Sequence, residues 1–196
     1  MARPQSPDYD KRRDAIVEAA AQLFARRGFK GASIADLAKS CGTSKALIYH
    51  YFASKEDIVY EVMAAHLDAL VDAADDAMRA GGARERLRAL TLAFMRLYAG
   101  AQASHKVLLN ELDNLPAQRR AEVVAKQRRI IAVVETLVRE IRPDTNPITL
   151  PLTMLFFGMI NWTHTWFRPG GTIEPDALAE LAIDLMLNGL ERLQAS

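Results

Sequence analysis

The sequence predicts an all-α fold in which a small three-helix domain precedes a larger helical domain, with about nine helices in all. Apolar residues recur at the 3.6-residue spacing of helices along almost the whole chain. No segment shows the sustained alternation with β-branched residues that is typical of strands. Half of the 196 residues are hydrophobic and 25% are charged, which is the composition of a folded protein rather than a disordered one.

Three short helices are predicted in the first quarter of the chain. The first covers residues 11–27 and carries one apolar stripe. Ser33 followed by Asp36 has the spacing of an N-terminal capping box and opens the second helix. A turn at residues 41–43 ends it, and the third helix runs over residues 44–51. The stripe of the first helix comprises Ile16, Ala19, Ala20, Leu23 and Phe24.

Six longer segments with helical periodicity follow. The segment 148–167 is uncharged, but its threonine, asparagine, histidine and proline residues make it too polar for a membrane span, so we expect a helix buried on most sides. The first ten residues lack the apolar core of a secretory signal, and the single cysteine fits a reducing compartment. We therefore expect a cytoplasmic protein without membrane contact. The predicted helices cover residues 54–78, 83–98, 104–114, 116–141, 148–167 and 175–193.

Basic residues are concentrated at the beginning of the chain. Ten Lys and Arg face five Asp and Glu through Lys55, whereas acidic residues prevail in the remainder and the net charge is only +1. A basic end on a mildly acidic body favours contact between that end and a polyanion.

Residues 31–55 predict a helix-turn-helix. Two short helices joined by a tight, glycine-containing turn have this geometry, in which the second helix enters the major groove of DNA. The outward surface of the second helix suits phosphates and base edges, although the pattern alone leaves open an αα-hairpin with incidental surface aromatic residues. The residues spaced to pack the pair on the first helix are Ile34, Leu37, Ala38, Ile48 and Phe52. The outward residues are Ser44, Lys45, Ala46, Leu47, Tyr49, His50 and Tyr51.

Basic and hydroxyl side chains beside this helix pair are candidates for phosphate contacts. Ser33 lies at a helix N-terminus, where free N–H groups and the helix dipole favour an anion. Lys55 lies in the first turn of the following helix, where the dipole does not favour a cation, which indicates an external anionic partner. Arg3, Arg12 and Arg13 either add backbone or minor-groove contacts or form a solvated basic face.

Three segments resemble the DNA-binding signature of the TetR family: Ala-Ser-Ile-Ala-Asp-Leu-Ala at 32–38, Gly-Thr-Ser-Lys at 42–45 and Leu-Ile-Tyr-His-Tyr-Phe-Ala-Ser-Lys-Glu at 47–56. Thr43 and the Ala46-Leu47 pair depart from the commonest pattern, which leaves the operator sequence open but not the mode of binding.

This resemblance implies a homodimeric transcriptional repressor that binds a palindromic, double-stranded operator and is released by a small ligand. It implies a DNA-binding domain over residues 1–55 and a ligand-binding and dimerisation domain over residues 56–196. It assigns base edges to Lys45, Ala46, Leu47, Tyr49 and His50. It assigns phosphates to Ser33, Tyr49, Tyr51 and Lys55.

Bulky apolar residues mixed with isolated polar groups on the middle helices predict an effector pocket, although each is also open to being ordinary core. Residues 156–162 and 166–169 are similar to the C-terminal regions of TetR regulators of fatty-acid, aromatic-acid or sterol-fragment catabolism, whose effector is often an acyl-CoA. This implies a hydrophobic effector, with Arg88, Arg96 or Arg168 as alternatives for the CoA phosphates. The pocket candidates are Met63, His66, Phe94, Leu97, Tyr98, Leu108, Phe157, Asn161, Trp162 and Thr165.

The last two long helices predict the dimer interface, because their apolar faces are broader than one neighbouring helix needs. Some of these residues must also serve the core of their own subunit. The interface candidates are Phe156, Met159, Trp166, Leu181, Leu185 and Gly189.

No catalytic, metal or cofactor site is predicted. The four histidines lack metal-ligand spacing, and neither a Gly-rich phosphate loop nor a Ser/His/Asp arrangement is present. Two alternatives to a repressor stay open: a small-molecule sequestering protein with a vestigial DNA-binding domain, and an enzyme that uses the pocket. Intact function in Lys45→Ala or Tyr49→Ala would favour the first, and substrate turnover by the purified protein would favour the second.

Overall fold

The computed structural model describes residues 7–192, and within them the secondary structure is entirely helical, as predicted. Two single 3₁₀ turns accompany the α-helices at Leu112–Asn114 and Pro143–Thr145. The α-helices are α1 (Pro7–Gly31), α2 (Ile34–Ser40), α3 (Lys45–Tyr51), α4 (Lys55–Ala77), α5 (Ala83–Gly100), α6 (Gln102–Asn110), α7 (Ala117–Ile141), α8 (Thr149–Asn161), α9 (Thr163–Trp166) and α10 (Pro175–Arg192).

The predicted helix over residues 148–167 is divided at Trp162 into α8 and α9. Side chains just after the division compete for backbone carbonyls of α8. The Thr163 hydroxyl donates to the Ile160 carbonyl at 2.6 Å, and His164 Nδ1 lies 2.7 Å from the Asn161 carbonyl oxygen. Such local side-chain bonds offer the backbone an alternative to a continuous helix.

The helix bounds differ from the prediction at two further places. Helix α1 begins before the predicted residue 11, and its backbone turns at Gly28, where φ is +70°. The predicted helix over 104–114 is instead α6 followed by the 3₁₀ turn at Leu112–Asn114.

The chain forms two compact units. The first contains the chain through His66 together with residues 103–123, and the second contains residues 67–102 and the chain from residue 124 onward. Helices α4 and α7 each contribute to both units. Helix α4 begins at residue 55, where the domain boundary was predicted. The boundary itself remains a proposal.

The core of the first unit includes the apolar stripe of α1, with Ile16, Leu23 and Phe24 all buried. Helix α2 packs against both α1 and α3. Leu37 of α2 and Ile48 of α3 are almost completely excluded from solvent, as the helix-turn-helix prediction requires.

In the second unit, α10 packs along α5 and also contacts α8. Three ion pairs join α5 to α10: Arg84 with Glu191, Arg88 with Glu180, and Arg96 with Asp176. Arg142 follows α7 and donates to the Leu190 carbonyl at 2.6 Å, which satisfies a free acceptor at the end of α10. Among the described helices, none combines the length and the apolar character that crossing a membrane needs.

Candidate DNA-binding surface and effector site

Capping and glycine geometry form the turn between α2 and α3. The Ser33 hydroxyl accepts from the Asp36 N–H at 3.1 Å, and the Asp36 carboxylate accepts from the Ser33 N–H at 3.1 Å, which completes a capping box. Gly42 has φ +60°, a left-handed conformation that glycine adopts without strain. Ser44 then caps α3 by accepting from the Leu47 N–H at 3.2 Å.

Helix α3, called the reading helix below, separates its two faces sharply. Ile48 and the following Phe52 are buried, whereas Lys45, Ala46 and His50 are exposed. Tyr49 is 53% exposed, so both its ring and its hydroxyl are available to a partner.

The other side chains predicted on this face are more enclosed. Leu47 and Tyr51 are half-buried. Tyr51 lies against Tyr9 of α1, with ring centroids 4.5 Å apart, and Tyr9 also contacts His50 edge-on at 6.2 Å. The sequence prediction missed Tyr9, because it precedes the first apolar repeat of α1 and carries no periodic signal.

Two predicted phosphate contacts have partners within the chain. Lys55 Nζ donates to the Ala32 carbonyl at 2.7 Å and lies 4.0 Å from the ring centroid of Phe29, so the phosphate contact of this half-buried side chain stays a prediction. Ser33 is exposed, but its hydroxyl donates to the Asp36 carboxylate at 2.5 Å. These bonds keep the pKa of Asp36 below its usual value, so the N-terminus of α2 already faces a negative charge.

A groove of about 480 Å³ lies between α1 and the helix-turn-helix turn. Leu47 of the reading helix lines it, and the exposed Arg12 stands at its edge. Cys41 also lines it as a half-buried thiol, and burial raises the pKa of that thiol, which disfavours the reactive thiolate. The predicted contact of Arg3 lies outside the described residues. The remaining lining residues are Ala15, Ile16, Ala19, Ser40, Gly42 and Thr43.

The start of α4 is held by α1 from one side. Arg13 pairs with Glu61 at 2.5 Å, and its guanidinium carbon lies 5.3 Å from the ring centroid of Phe52. Arg13 therefore joins α1 to the residue that ends the reading helix and to the helix that follows it.

The first turns of α7 hold α4 through a second group of side chains. The Tyr60 hydroxyl donates to Glu122 at 2.6 Å, and the Arg119 guanidinium carbon lies 4.1 Å from the Tyr60 ring centroid. Arg119 also pairs with Asp57 at 3.7 Å. The bond to Glu122 raises the pKa of Tyr60 and lowers that of Glu122. Below, Tyr60, Arg119 and Glu122 are called the α4–α7 cluster.

Three of the predicted effector residues lie in the first unit, and all are buried. They are Met63, His66 and Leu108. His66 Nε2 lies 3.1 Å from His105 Nδ1, so the two imidazoles form a buried hydrogen-bonded pair between α4 and α6. Burial lowers the pKa of His66 to about 4.

The other predicted effector residues lie in the second unit and divide by exposure. Phe94, Tyr98 and Phe157 are buried, and burial raises the pKa of Tyr98. Leu97 and Asn161 are half-buried. Trp162 is 65% exposed and Thr165 is also exposed, so their effector contacts stay predictions.

Two buried polar atoms of α8 stand out within residues 7–192. The Thr153 hydroxyl and the Asn161 Oδ1 have no hydrogen-bond partner there. Thr153 was not predicted as a site residue, because a threonine among apolar helical residues gives no pattern that separates a ligand contact from core.

The basic residues considered for CoA phosphates are engaged within the chain. Arg88 and Arg96 pair with Glu180 and Asp176 of α10. Arg168 donates to the Phe167 carbonyl at 3.1 Å. The first two arginines therefore already carry a carboxylate partner, although both remain more than half exposed.

The predicted interface residues differ in their exposure. Phe156 is completely buried in its own subunit, so its assignment to the interface is wrong. Trp166, Leu181 and Leu185 are at least half exposed, Gly189 is exposed, and Met159 is half-buried. Large exposed apolar residues that the sequence prediction did not place there are Ile148, Leu150, Met154, Leu155 and Trp162.

A basic helix-turn-helix followed by a helical body defines a DNA-binding regulator of transcription. A family model for bacterial regulatory proteins of the TetR family matches residues 16–62, and a model for the Tetracyclin repressor-like C-terminal domain matches residues 80–190. The chain belongs to the TetR family.

Similar proteins agree with this assignment. A crystal structure of a TetR-family transcriptional regulator from Bordetella parapertussis 12822 is 39% identical, with a TM-score of 0.87 over 94% of this chain and 98% of that one. The HTH-type transcriptional repressor KstR2 of Rhodococcus jostii strain RHA1 is 28% identical over 91% of each chain. AibR, solved in complex with isovaleryl coenzyme A and operator DNA, is 25% identical, with a TM-score of 0.80 over 89% of this chain and 97% of that one.

Proposed function

We propose that this chain is a ligand-responsive repressor that binds a palindromic operator as a homodimer and is released by a hydrophobic effector of the acyl-CoA class. The observation that carries this proposal is the reading helix. It buries Ile48 while leaving Lys45, Tyr49 and His50 exposed.

The exposed residues of the reading helix have the chemistry to read DNA. Lys45 suits guanine O6 and N7, and the exposed hydroxyl and imidazole of Tyr49 and His50 suit phosphates and base edges. A symmetric dimer would present two such helices about 34–36 Å apart, one turn of the double helix.

The exposed apolar residues of α8 and α10 support the homodimer. Leu155 is 71% exposed and Leu185 is 60% exposed, and their burial against a second copy would remove apolar surface from water. A two-fold axis would place the same residues of both copies in contact.

The effector class rests on two kinds of support. Buried apolar side chains with a few polar atoms, among them Phe157, Tyr98 and Asn161, resemble the lining of sites for apolar ligands. AibR has been solved with isovaleryl coenzyme A, and KstR2 is named as a repressor. We extend the binding of an acyl-CoA and the repression of transcription to this chain.

Fluorescence anisotropy of the purified protein on DNA flanking its own gene tests the proposal. We expect salt-dependent, sequence-preferring binding that an acyl-CoA reverses. Specific binding that no thioester reverses would overturn the effector class alone. Equal binding to this DNA and to random DNA at several salt concentrations would contradict the proposal that the flanking DNA contains an operator. If deletion of the gene lowered transcription of the regulated genes, the protein would be an activator rather than a repressor.

A further inference from the structure

The Thr153 hydroxyl is an exception among the buried threonines of the described chain. Its residue is completely buried in α8, and the hydroxyl has no hydrogen-bond partner within residues 7–192. The other buried threonine hydroxyls all bond: Thr91 to the Leu87 carbonyl at 2.8 Å, Thr163 to the Ile160 carbonyl at 2.6 Å, and Thr145 with Thr149 at 3.0 Å.

This exception calls for a physical reason. A helical threonine can satisfy its hydroxyl on the carbonyl four residues earlier, as Thr91 does. Valine has the same shape and would occupy the position without an unsatisfied group. A buried hydroxyl that lacks a partner destabilises the folded chain, so its retention points to a partner that arrives from outside.

Asn161 supplies a second, independent observation on the same helix. Its Oδ1 is buried without a partner in the described chain, although the residue as a whole is half-buried. Eight residues separate it from Thr153, or about 12 Å along a helix. Thr153 is completely buried, whereas Asn161 is half-buried and therefore nearer to solvent. A ligand that entered beside Asn161 would reach Thr153 with its inner end.

We propose that the effector is an acyl thioester whose acyl chain carries an oxygen function, a hydroxyl or keto group, that bonds the Thr153 hydroxyl. The Asn161 side chain then bonds a polar group nearer the thioester, such as an amide of the pantetheine arm. This inference rests on the proposed effector class, the acyl-CoAs, and restricts it to those whose acyl chain carries an oxygen function. A plain alkyl chain leaves Thr153 unsatisfied, whereas an oxygenated chain satisfies it, so the site discriminates between them.

The same bond contributes to release under one condition. A ligand shifts a conformational equilibrium only through a difference in its interaction free energy with the two states. The bond to Thr153 contributes to release to the extent that it forms in the released conformation and not in the DNA-bound one.

Isothermal titration with matched ligands tests the proposal. The probes are butanoyl-, octanoyl- and dodecanoyl-CoA together with their 3-hydroxy and 3-oxo counterparts. We expect at least one oxygenated probe to bind the wild type about tenfold more tightly than its plain counterpart, a difference of ~1.4 kcal/mol. Thr153→Val removes the hydroxyl with little change of shape and is expected to abolish this preference. Thr153→Ser keeps the hydroxyl and is expected to retain it.

Thermal unfolding without ligand provides a readout independent of binding. We expect Thr153→Val to raise the melting temperature by about 2–4 °C, because an unsatisfied hydroxyl is removed. A lower melting temperature would indicate a buried water on the hydroxyl and would overturn the proposal, as would equal binding of plain and oxygenated probes. Failure of every thioester to bind would overturn the effector class as well, while operator binding by the same preparation would leave the repressor standing.

Discussion

Single residues on the reading helix decide whether this chain recognises a sequence or only a polyanion. Lys45 is exposed on α3, and Lys39 is exposed on the neighbouring α2. We expect Lys45→Ala to weaken operator binding about tenfold or more, because a base contact of this type contributes about 1–3 kcal/mol. Anisotropy on operator and on random DNA measures the effect.

Lys39→Ala is the matched control, since it removes the same charge. It is expected to change operator binding much less than Lys45→Ala does. Equal losses in the two variants, on both kinds of DNA, would mean that Lys45 acts only through its charge.

His66 makes the stability of the fold depend on pH. Its folded-state pKa is lowered to about 4, whereas an unfolded histidine titrates near 6.5. Between these values the unfolded chain binds a proton that the folded chain does not, so stability is lost as pH falls from about 6.5 to about 4. The full loss is about 3 kcal/mol.

Urea unfolding at several pH values and a fixed protein concentration checks this expectation. His66→Gln keeps a hydrogen-bonding group near His105 but does not titrate, so we expect its stability to fall less over the same window. Identical pH profiles for the two proteins would contradict the assignment to His66.

At the scale of elements, two contacts fix the start of α4. Arg13 joins it to α1, and the α4–α7 cluster joins it to α7. Because α3 ends only a few residues before α4 begins, we expect the direction of α4 to influence the direction of the reading helix. Both α4 and α7 continue into the second unit.

Tyr60→Phe tests this role, since it removes one hydroxyl and leaves the ring beside Arg119. We expect the variant to discriminate less between the operator and a copy with one base pair inserted between the half-sites. The affinity ratio should fall about two- to tenfold, the range that one hydrogen bond contributes. Paired anisotropy titrations measure that ratio.

Arg129→Gln serves as the control, because it breaks a surface ion pair with Asp75 in the second unit. It is expected to leave the spacing preference unchanged. An unaltered preference in Tyr60→Phe would mean that the cluster does not set the direction of the reading helix.

The elements also explain how far sequence reasoning reaches. In α2 and α3 the apolar residues occupy one face, so periodicity predicted that Leu37, Ile48 and Phe52 are buried, and they are. Helix α8 has large apolar residues on every side, so periodicity does not tell its inner from its outer face. For this reason Phe156 was assigned to the interface, while the exposed Leu155 was missed.

Contacts between distant residues lie beyond the reach of periodicity. The bond from Lys55 to the Ala32 carbonyl and the position of Tyr9 over Tyr51 depend on how helices approach one another. The unsatisfied hydroxyl of Thr153 is a property of its surroundings and has no counterpart in the order of residues.

For the whole molecule, the proposed dimer would govern operator binding, because a palindrome needs two linked reading helices. Leu185 is 60% exposed on α10. We expect Leu185→Glu to weaken the dimer about tenfold or more, because it would place an unpaired charge in an apolar contact. Sedimentation velocity and binding to the full palindrome should both report the loss, with helicity unchanged.

Ala132→Glu introduces the same charge at an exposed position of α7 and is the control. It is expected to leave the dimer intact. A Leu185→Glu protein that remained dimeric at low concentration would rule out α10 as the contact.

The ion pairs between α5 and α10 bear on whether this chain pairs with a second copy of itself or with a related regulator in the same cell. The carboxylates of Glu191, Glu180 and Asp176 face arginines of the same subunit, and α8 carries no charged residue. The proposed contact surface thus offers few charges that would repel a paralogue. If this surface forms the dimer, we expect shape to select the correct partner, because the surface carries both large exposed rings such as Trp162 and exposed small residues such as Gly158 and Gly189. A paralogue with a bulky side chain at one of these glycine positions is expected to pair less well than one that differs only in its charge pattern.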